Sequence, residues 1–171
     1  MLDPEDKDAF LKRGEPERIP PGPDAEQPRV TPPRVLLIDD ESSIRMALRR
    51  FFGRMGWEVA EAADGSKALD LLLNSAPVGE RKSQVSEGEQ RESYDMVLSD
   101  VRMPGLNGIQ LHERLKAERP DILPRLVFST GDIAGKETVE FVRDIGCPVI
   151  HKPFHLSHLK ELAERLSREA P

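Results

Sequence analysis

The chain has 171 residues, 37% apolar and 33% charged, against roughly 45–50% and about 25% in an average soluble domain, so one ordinary core fits and part of the chain lies outside it. No stretch approaches the ~20 consecutive apolar residues of a membrane span, no secretory apolar run opens the chain, and a single cysteine, Cys147, excludes an intrachain disulfide and any multi-thiolate metal site; a cytoplasmic protein is expected. The net charge of −6 disfavours non-specific attraction to a phosphate backbone, so neither nucleic acid nor membrane is an expected partner.

Residues 1–33 hold 8 of the 15 prolines and 13 charged residues, with apolar side chains too scattered to form a face. They are expected to be a disordered tail. From residue 34 to 171 a single folded domain is expected, in which short aliphatic or β-branched runs alternate with helical patterns, the mark of successive βα units and a parallel sheet. The candidate strands are residues 34–39, 57–61, 95–100, 125–130 and 148–151. The first helix carries an apolar stripe at Ile44, Ala47, Leu48, Phe51 and Met55, and the last repeats that geometry at Leu156, Leu159, Leu162, Ala163 and Leu166. Both stripes are expected to face the sheet. Ser75 to Ser93, rich in Gly, Ser and charge without a period, reads as a long polar loop.

In an open parallel sheet, ligands bind beyond the carboxyl ends of the strands. Strand one ends in Asp39 and Asp40, strand three in Asp100, strand four in Ser129 and Thr130 before Gly131, and strand five in His151 and Lys152 before Pro153. Three converging carboxylates repel one another unless a hard cation neutralises them, and carboxylate, carbonyl and water are the ligands that suit Mg2+. A lysine and a hydroxyl then remain for an anion. Each piece alone has a plainer reading. Asp39 and Asp40 could cap a helix, Asp100 could close a turn, Thr130 could be an ordinary strand residue, and Lys152 could be a solvated surface cation. Their joint occurrence in this order favours a site.

IDDE at Ile38 to Glu41, SDVRMPGLNG at Ser99 to Gly108, FSTGD at Phe128 to Asp132 and HKPF at His151 to Phe154 resemble the receiver domain of two-component response regulators. The likeness covers residues 34 to about 168. It implies a flavodoxin-like three-layer α/β/α fold with five parallel strands in order 2-1-3-4-5. It also implies a phosphoacceptor, Asp100, that takes a phosphoryl group from a phosphohistidine on a sensor histidine kinase or a histidine phosphotransfer protein. By the same resemblance Mg2+ is held by Asp40 and Asp100 directly, by Asp39 through water and by the backbone carbonyl of Arg102. Thr130 and Lys152 bind the phosphoryl oxygens, Arg102 and Asp132 tune hydrolysis, and the Lys152–Pro153 peptide bond is cis. Many receivers carry an aromatic ring three residues before the lysine; here that position is Val149, a stiff side chain with no ring to swing. The Ser75 to Ser93 stretch also departs from the family, at the end of the sheet away from Asp100.

Other functions fit less well. An aspartate-nucleophile phosphatase of the haloacid dehalogenase type needs a second Asp two residues after the nucleophile, where this chain has Arg102, which cannot protonate a leaving group. A receiver-like scaffold that works without phosphorylation would be expected to have lost an acid or the lysine. No glycine-rich phosphate cradle follows the first strand, so nucleotide binding of that kind is not expected. Only 19 residues follow Lys152, enough for a last helix, and output is therefore expected through a downstream protein effector.

Overall fold

Alternation along each strand decides the layering. In a computed structural model of the chain, which describes residues 31–77, 93–131, 136–153 and 155–169, β1 (Arg34–Ile38) sends Leu36 and Ile38 to one face of the sheet and Val35 and Leu37 to the other. Leu126 and Phe128 against Val127 repeat this division in β4 (Leu126–Thr130). Both faces are therefore apolar, and both need a helical cover.

The elements run in chain order as α1 (Ser42–Arg54), β2 (Glu58–Ala62), α2 (Gly65–Leu73), β3 (Met96–Asp100), α3 (Gly108–Glu118), a 3-10 turn (Pro120–Arg125), β4, α4 (Lys136–Asp144), β5 (Val149–His151) and α5 (Leu156–Arg168). Five strands pair in parallel in the order 2-1-3-4-5. On one face lie α2, α3 and the partly buried side of α4; on the other lie α1 and α5. This is the flavodoxin-like architecture that the motifs imply.

Two helical stripes differ in detail from the sequence reading. Ala47 is exposed, and Phe52 is fully buried in its stead against Leu48 and Trp57. Positions 44, 48, 51, 52 and 55 lie on one arc of the helix, which simple spacing does not distinguish from an arc through 47. In α5 the buried set is Leu159, Leu162, Ala163 and Leu166, while Leu156, in the first turn, is 50% exposed. Strand two begins one residue later than expected, because Trp57 turns into the core beside Phe52. The Pro120–Arg125 turn, with prolines at both 120 and 124, has no counterpart in the helical and strand periodicities.

Residues 1–30 of the expected tail and 78–92 of the expected loop lie outside the described residues. Pro33 already accepts a hydrogen bond from the Glu58 amide (2.9 Å), alongside β2. On the near side of the 75–93 stretch, Arg119 donates to the carbonyls of Leu72 (2.6 Å), Ser75 and Ala76 (both 3.2 Å) and pairs with Asp121 at 2.8 Å. Leu72 lies in the last turn of α2 and Ser75 and Ala76 follow its cap, so one guanidinium ties the helix end to the segment that leaves it.

Candidate functional site

At the carboxyl edge of the sheet β1 delivers Asp39 and Asp40, β3 ends on Asp100 and β4 on Thr130, and β5 hands the chain to Lys152. Asp39 is 3% exposed and Asp100 7%; Asp40 is exposed. One carboxylate oxygen from each of the three lies within 4.8 Å of the others. Lys152 Nζ donates to Asp39 Oδ2 at 2.8 Å and to Asp100 Oδ2 at 2.7 Å. The site thus combines three hard oxygen donors, one of them open to solvent, with a single ammonium held between the two buried acids.

Local chemistry holds each group. Asp39 Oδ1 accepts the Glu41 amide at 2.8 Å, and Asp100 Oδ1 accepts the Arg102 amide at 3.2 Å. The Lys152 amide donates to the Thr130 carbonyl (2.8 Å), continuing the β4–β5 ladder one step past His151. Lys152–Pro153 is cis, as the resemblance implies. Thr130 is buried at the end of β4. Arg102 is exposed two residues beyond Asp100. Asp132 lies outside the described residues. Val149 is half-buried in register beside Phe128 and packs on the α2–α4 side of the sheet.

Burial raises the Asp100 carboxyl above its ordinary value, and the like charge of Asp39 adds to this; the hydrogen bond and charge of Lys152 and the Arg102 amide offset it only in part. At Lys152 burial pulls the ammonium down, but hydrogen bonds and attraction from both Asp100 and Asp39 outweigh it, so its pKa is raised. An isolated ion pair would shift its partners in opposite directions. Here both rise, because burial of the Asp100 carboxyl outweighs what Lys152 gives it, while Lys152 gains from two carboxylates at once.

Contacts invisible in the motifs shape the loop after Asp100. A Cβ on Gly108 would stand 2.5 Å from the Asp100 carbonyl oxygen and 2.8 Å from Val101 Cα, and one on Gly65 would stand 2.1 Å from the Leu106 carbonyl oxygen. The amino ends of α2 and α3 therefore clamp residues 101–107 from two sides. Asn107 and Gln110 close a reciprocal capping box that starts α3 at that point. Gly131 differs: its backbone is not left-handed, and a Cβ there would meet only Lys152 Cβ at 4.0 Å. Arg45 of α1 donates to the Asp39 carbonyl at 2.6 Å. No motif pointed to Gly65 or Arg45, since an Arg six residues past an acid is unremarkable until the turn brings them together.

Comparison with known proteins agrees with this geometry. The model of the response regulator receiver domain matches residues 35–164, and the chain belongs to that family. Sporulation initiation phosphotransferase F of Bacillus subtilis (strain 168) is 24% identical over 134 residues, covering 77% of this chain and 91% of that protein. Response regulator MprA of Mycobacterium sp. (strain KMS) is 33% identical over 129 residues, covering 75% of this chain; the chain spans 47% of that relative's length. Among solved structures, the chemotaxis protein CheY4 of Vibrio cholerae shares the fold with a TM-score of 0.60 at 23% identity, over 80% of this chain and 99% of that one. The receiver domain of the sensor histidine kinase PA1611 of Pseudomonas aeruginosa PAO1, described with a magnesium ion in its active-site cleft, has a TM-score of 0.64 at 18% identity, over 81% of this chain and all of that one. Among the described residues no helix is long and apolar enough to cross a membrane.

Proposed function

We propose that the domain accepts a phosphoryl group from a phosphohistidine onto Asp100 and signals through the surface that this modification alters. The observation that carries the proposal is the bridging of Asp39 and Asp100 by Lys152, at 2.8 and 2.7 Å, beside the third carboxylate, Asp40. Phosphoryl transfer asks for positioning and neutralisation more than for covalent assistance, because its loose transition state spreads charge over the equatorial oxygens. An ionised Asp100 oxygen attacks phosphorus, the P–N bond to the donor imidazole breaks, and its electron pair stays on the ring nitrogen, which is then protonated from solvent. The product is an acyl phosphate. Lys152 passes from the Asp100 carboxylate to a phosphoryl oxygen, and the Thr130 hydroxyl hydrogen-bonds to another.

The donor set fits Mg2+: three carboxylates converge, with an open side at Asp40, and on the receiver pattern the backbone carbonyl of Arg102 would complete the protein ligands. Asp40 and Asp100 would hold the ion directly and Asp39 through water, and the bound ion supplies positive charge where carboxylates and phosphoryl oxygens crowd together. The magnesium described in the cleft of the PA1611 receiver supports this assignment. Its partners on this reading are a histidine kinase or histidine phosphotransfer protein upstream and a protein effector downstream, in the cytoplasm. The domain serves as a phosphoacceptor that assists its own modification and its reversal, with Arg102 and Asp132 setting access of water to the acyl phosphate.

Acetyl phosphate with Mg2+, followed by intact-mass measurement, tests the proposal. Wild type should gain one phosphoryl group, and Asp100→Asn none. Stoichiometric labelling of that variant would overturn the assignment.

A further inference from the structure

Asp40 differs from its two neighbours in how it is held. The Asp39 carboxylate is fixed by the Glu41 amide and Lys152, and the Asp100 carboxylate by the Arg102 amide and Lys152. Asp40 is exposed, and among the described residues its side chain makes no hydrogen bond or ion pair. Its placement therefore rests on the backbone: the peptide that follows it donates the Glu41 amide to Asp39 Oδ1 at 2.8 Å, and the other peptide joins it to Asp39. The carbonyl of the Asp39–Asp40 peptide accepts a 2.6 Å hydrogen bond from Arg45 Nη1. Arg45 Nε lies 3.6 Å from Glu61 Oε2 near the end of β2, and its side chain is only 16% exposed. Glu61 is itself 3.4 Å from Arg49, one turn further along α1. A chain of polar contacts thus runs from β2 through α1 to a peptide plane that flanks the exposed acid.

We propose that Arg45 is a positioning residue for metal binding: it locks the Asp39–Asp40 peptide so that Asp40 presents its carboxylate beside those of Asp39 and Asp100. The inference rests on the Mg2+ site argued above and goes beyond it by naming a group that never touches the ion. Two effects compete at such a residue. Charge alone makes a guanidinium near a dication unfavourable, so its loss would tighten Mg2+ binding. Positioning predicts the opposite. Glu61 already faces the Arg45 charge, which weakens the repulsion, whereas a guanidinium fork joining a carbonyl to a carboxylate is a rigid orienting element. Outer-shell partners of metal ligands typically contribute about 10–100-fold in affinity. Positioning is therefore expected to prevail.

The test is Mg2+ titration of the full chain by calorimetry at fixed ionic strength, with melting temperature in EDTA recorded for each variant. Arg45→Ala should weaken Mg2+ binding by about 10–100-fold. Arg45→Lys, which can still donate to the carbonyl, should recover part of that loss, and Glu61→Gln should give a smaller loss than Arg45→Ala. In an Asp40→Ala background, Arg45→Ala should add nothing. Unchanged or tighter binding in folded Arg45→Ala overturns the inference, as does an equal further loss without Asp40. Should Arg45→Ala not fold, Glu61→Gln decides, and wild-type affinity there overturns it. If Asp40→Ala binds Mg2+ as the wild type does, the metal site itself is wrong and the inference falls with it; if Asp40→Ala loses binding while Arg45→Ala keeps it, only the role of Arg45 is wrong.

Discussion

Burial of the Asp100 carboxyl, which Lys152 offsets only in part, governs how the site responds to pH. The folded-state pKa of Asp100 is raised, so the folded protein binds a proton there more tightly than the unfolded chain does, and stability falls as pH rises from the ordinary value of 3.8 through the folded pKa. Asp100→Asn should therefore melt higher than wild type at pH 7 without Mg2+, and the gain should shrink as pH falls toward the ordinary carboxyl value; an unchanged difference at both pH values would contradict the account. Lys152 follows the same sign at the alkaline end. Its raised pKa contributes stability that is present below 10.5 and lost as pH climbs through the folded value. Most of this site is legible in the sequence, because acids, hydroxyl and lysine each stand at a strand's carboxyl end and a parallel sheet gathers those ends. Arg45 and Gly65 are not, since their significance lies in approach to a neighbouring backbone that no spacing encodes.

Among the elements, α5 shows most clearly where sequence periodicity stops. Its apolar stripe identifies the buried face, yet its carboxyl end is held by Arg125, a residue expected simply to open strand four. Arg125 is 4% exposed and donates to the carbonyls of Leu166 and, at 2.9 Å, Glu169. A partner some 40 residues away leaves no local trace. Charge-assisted hydrogen bonds contribute about 1.5–3 kcal/mol each, and the carbonyls would be left without that donor, so Arg125→Met should cost about 2–4 kcal/mol in urea unfolding. Arg125→Lys should restore only a fraction, because an ammonium cannot reproduce the fork; full restoration would show that charge alone matters. In α1 periodicity leaves the buried arc open, since Ala47 and Phe52 both fit a helical stripe and only the sheet's position chooses between them.

For the whole molecule, the question is how a change at Asp100 reaches a partner. Val149 offers no ring, but the α3–α4 side of the sheet holds one cluster of three: Phe128 and Phe141 meet edge to face at 5.1 Å, and His112 meets Phe141 at 5.6 Å and Phe128 at 6.3 Å. Val149 sits in register beside Phe128 within the same packing. With no aromatic at Val149 to exchange buried and exposed positions, modification should alter the surface beside Asp100 more than the face of α4, β5 and α5. Sedimentation with and without beryllofluoride should accordingly show no tight activated dimer built on α5, and its appearance would refute the inference from Val149. The central claim, that Asp100 is the phosphoacceptor, is tested most directly by incubating the protein with a phosphohistidine donor and Mg2+, trapping the product with borohydride and mapping it. The account predicts homoserine at position 100 and at no other aspartate, with none formed in EDTA. Trapped product at Asp39 or Asp40, or label retained on a hydroxyl or imidazole, would contradict it.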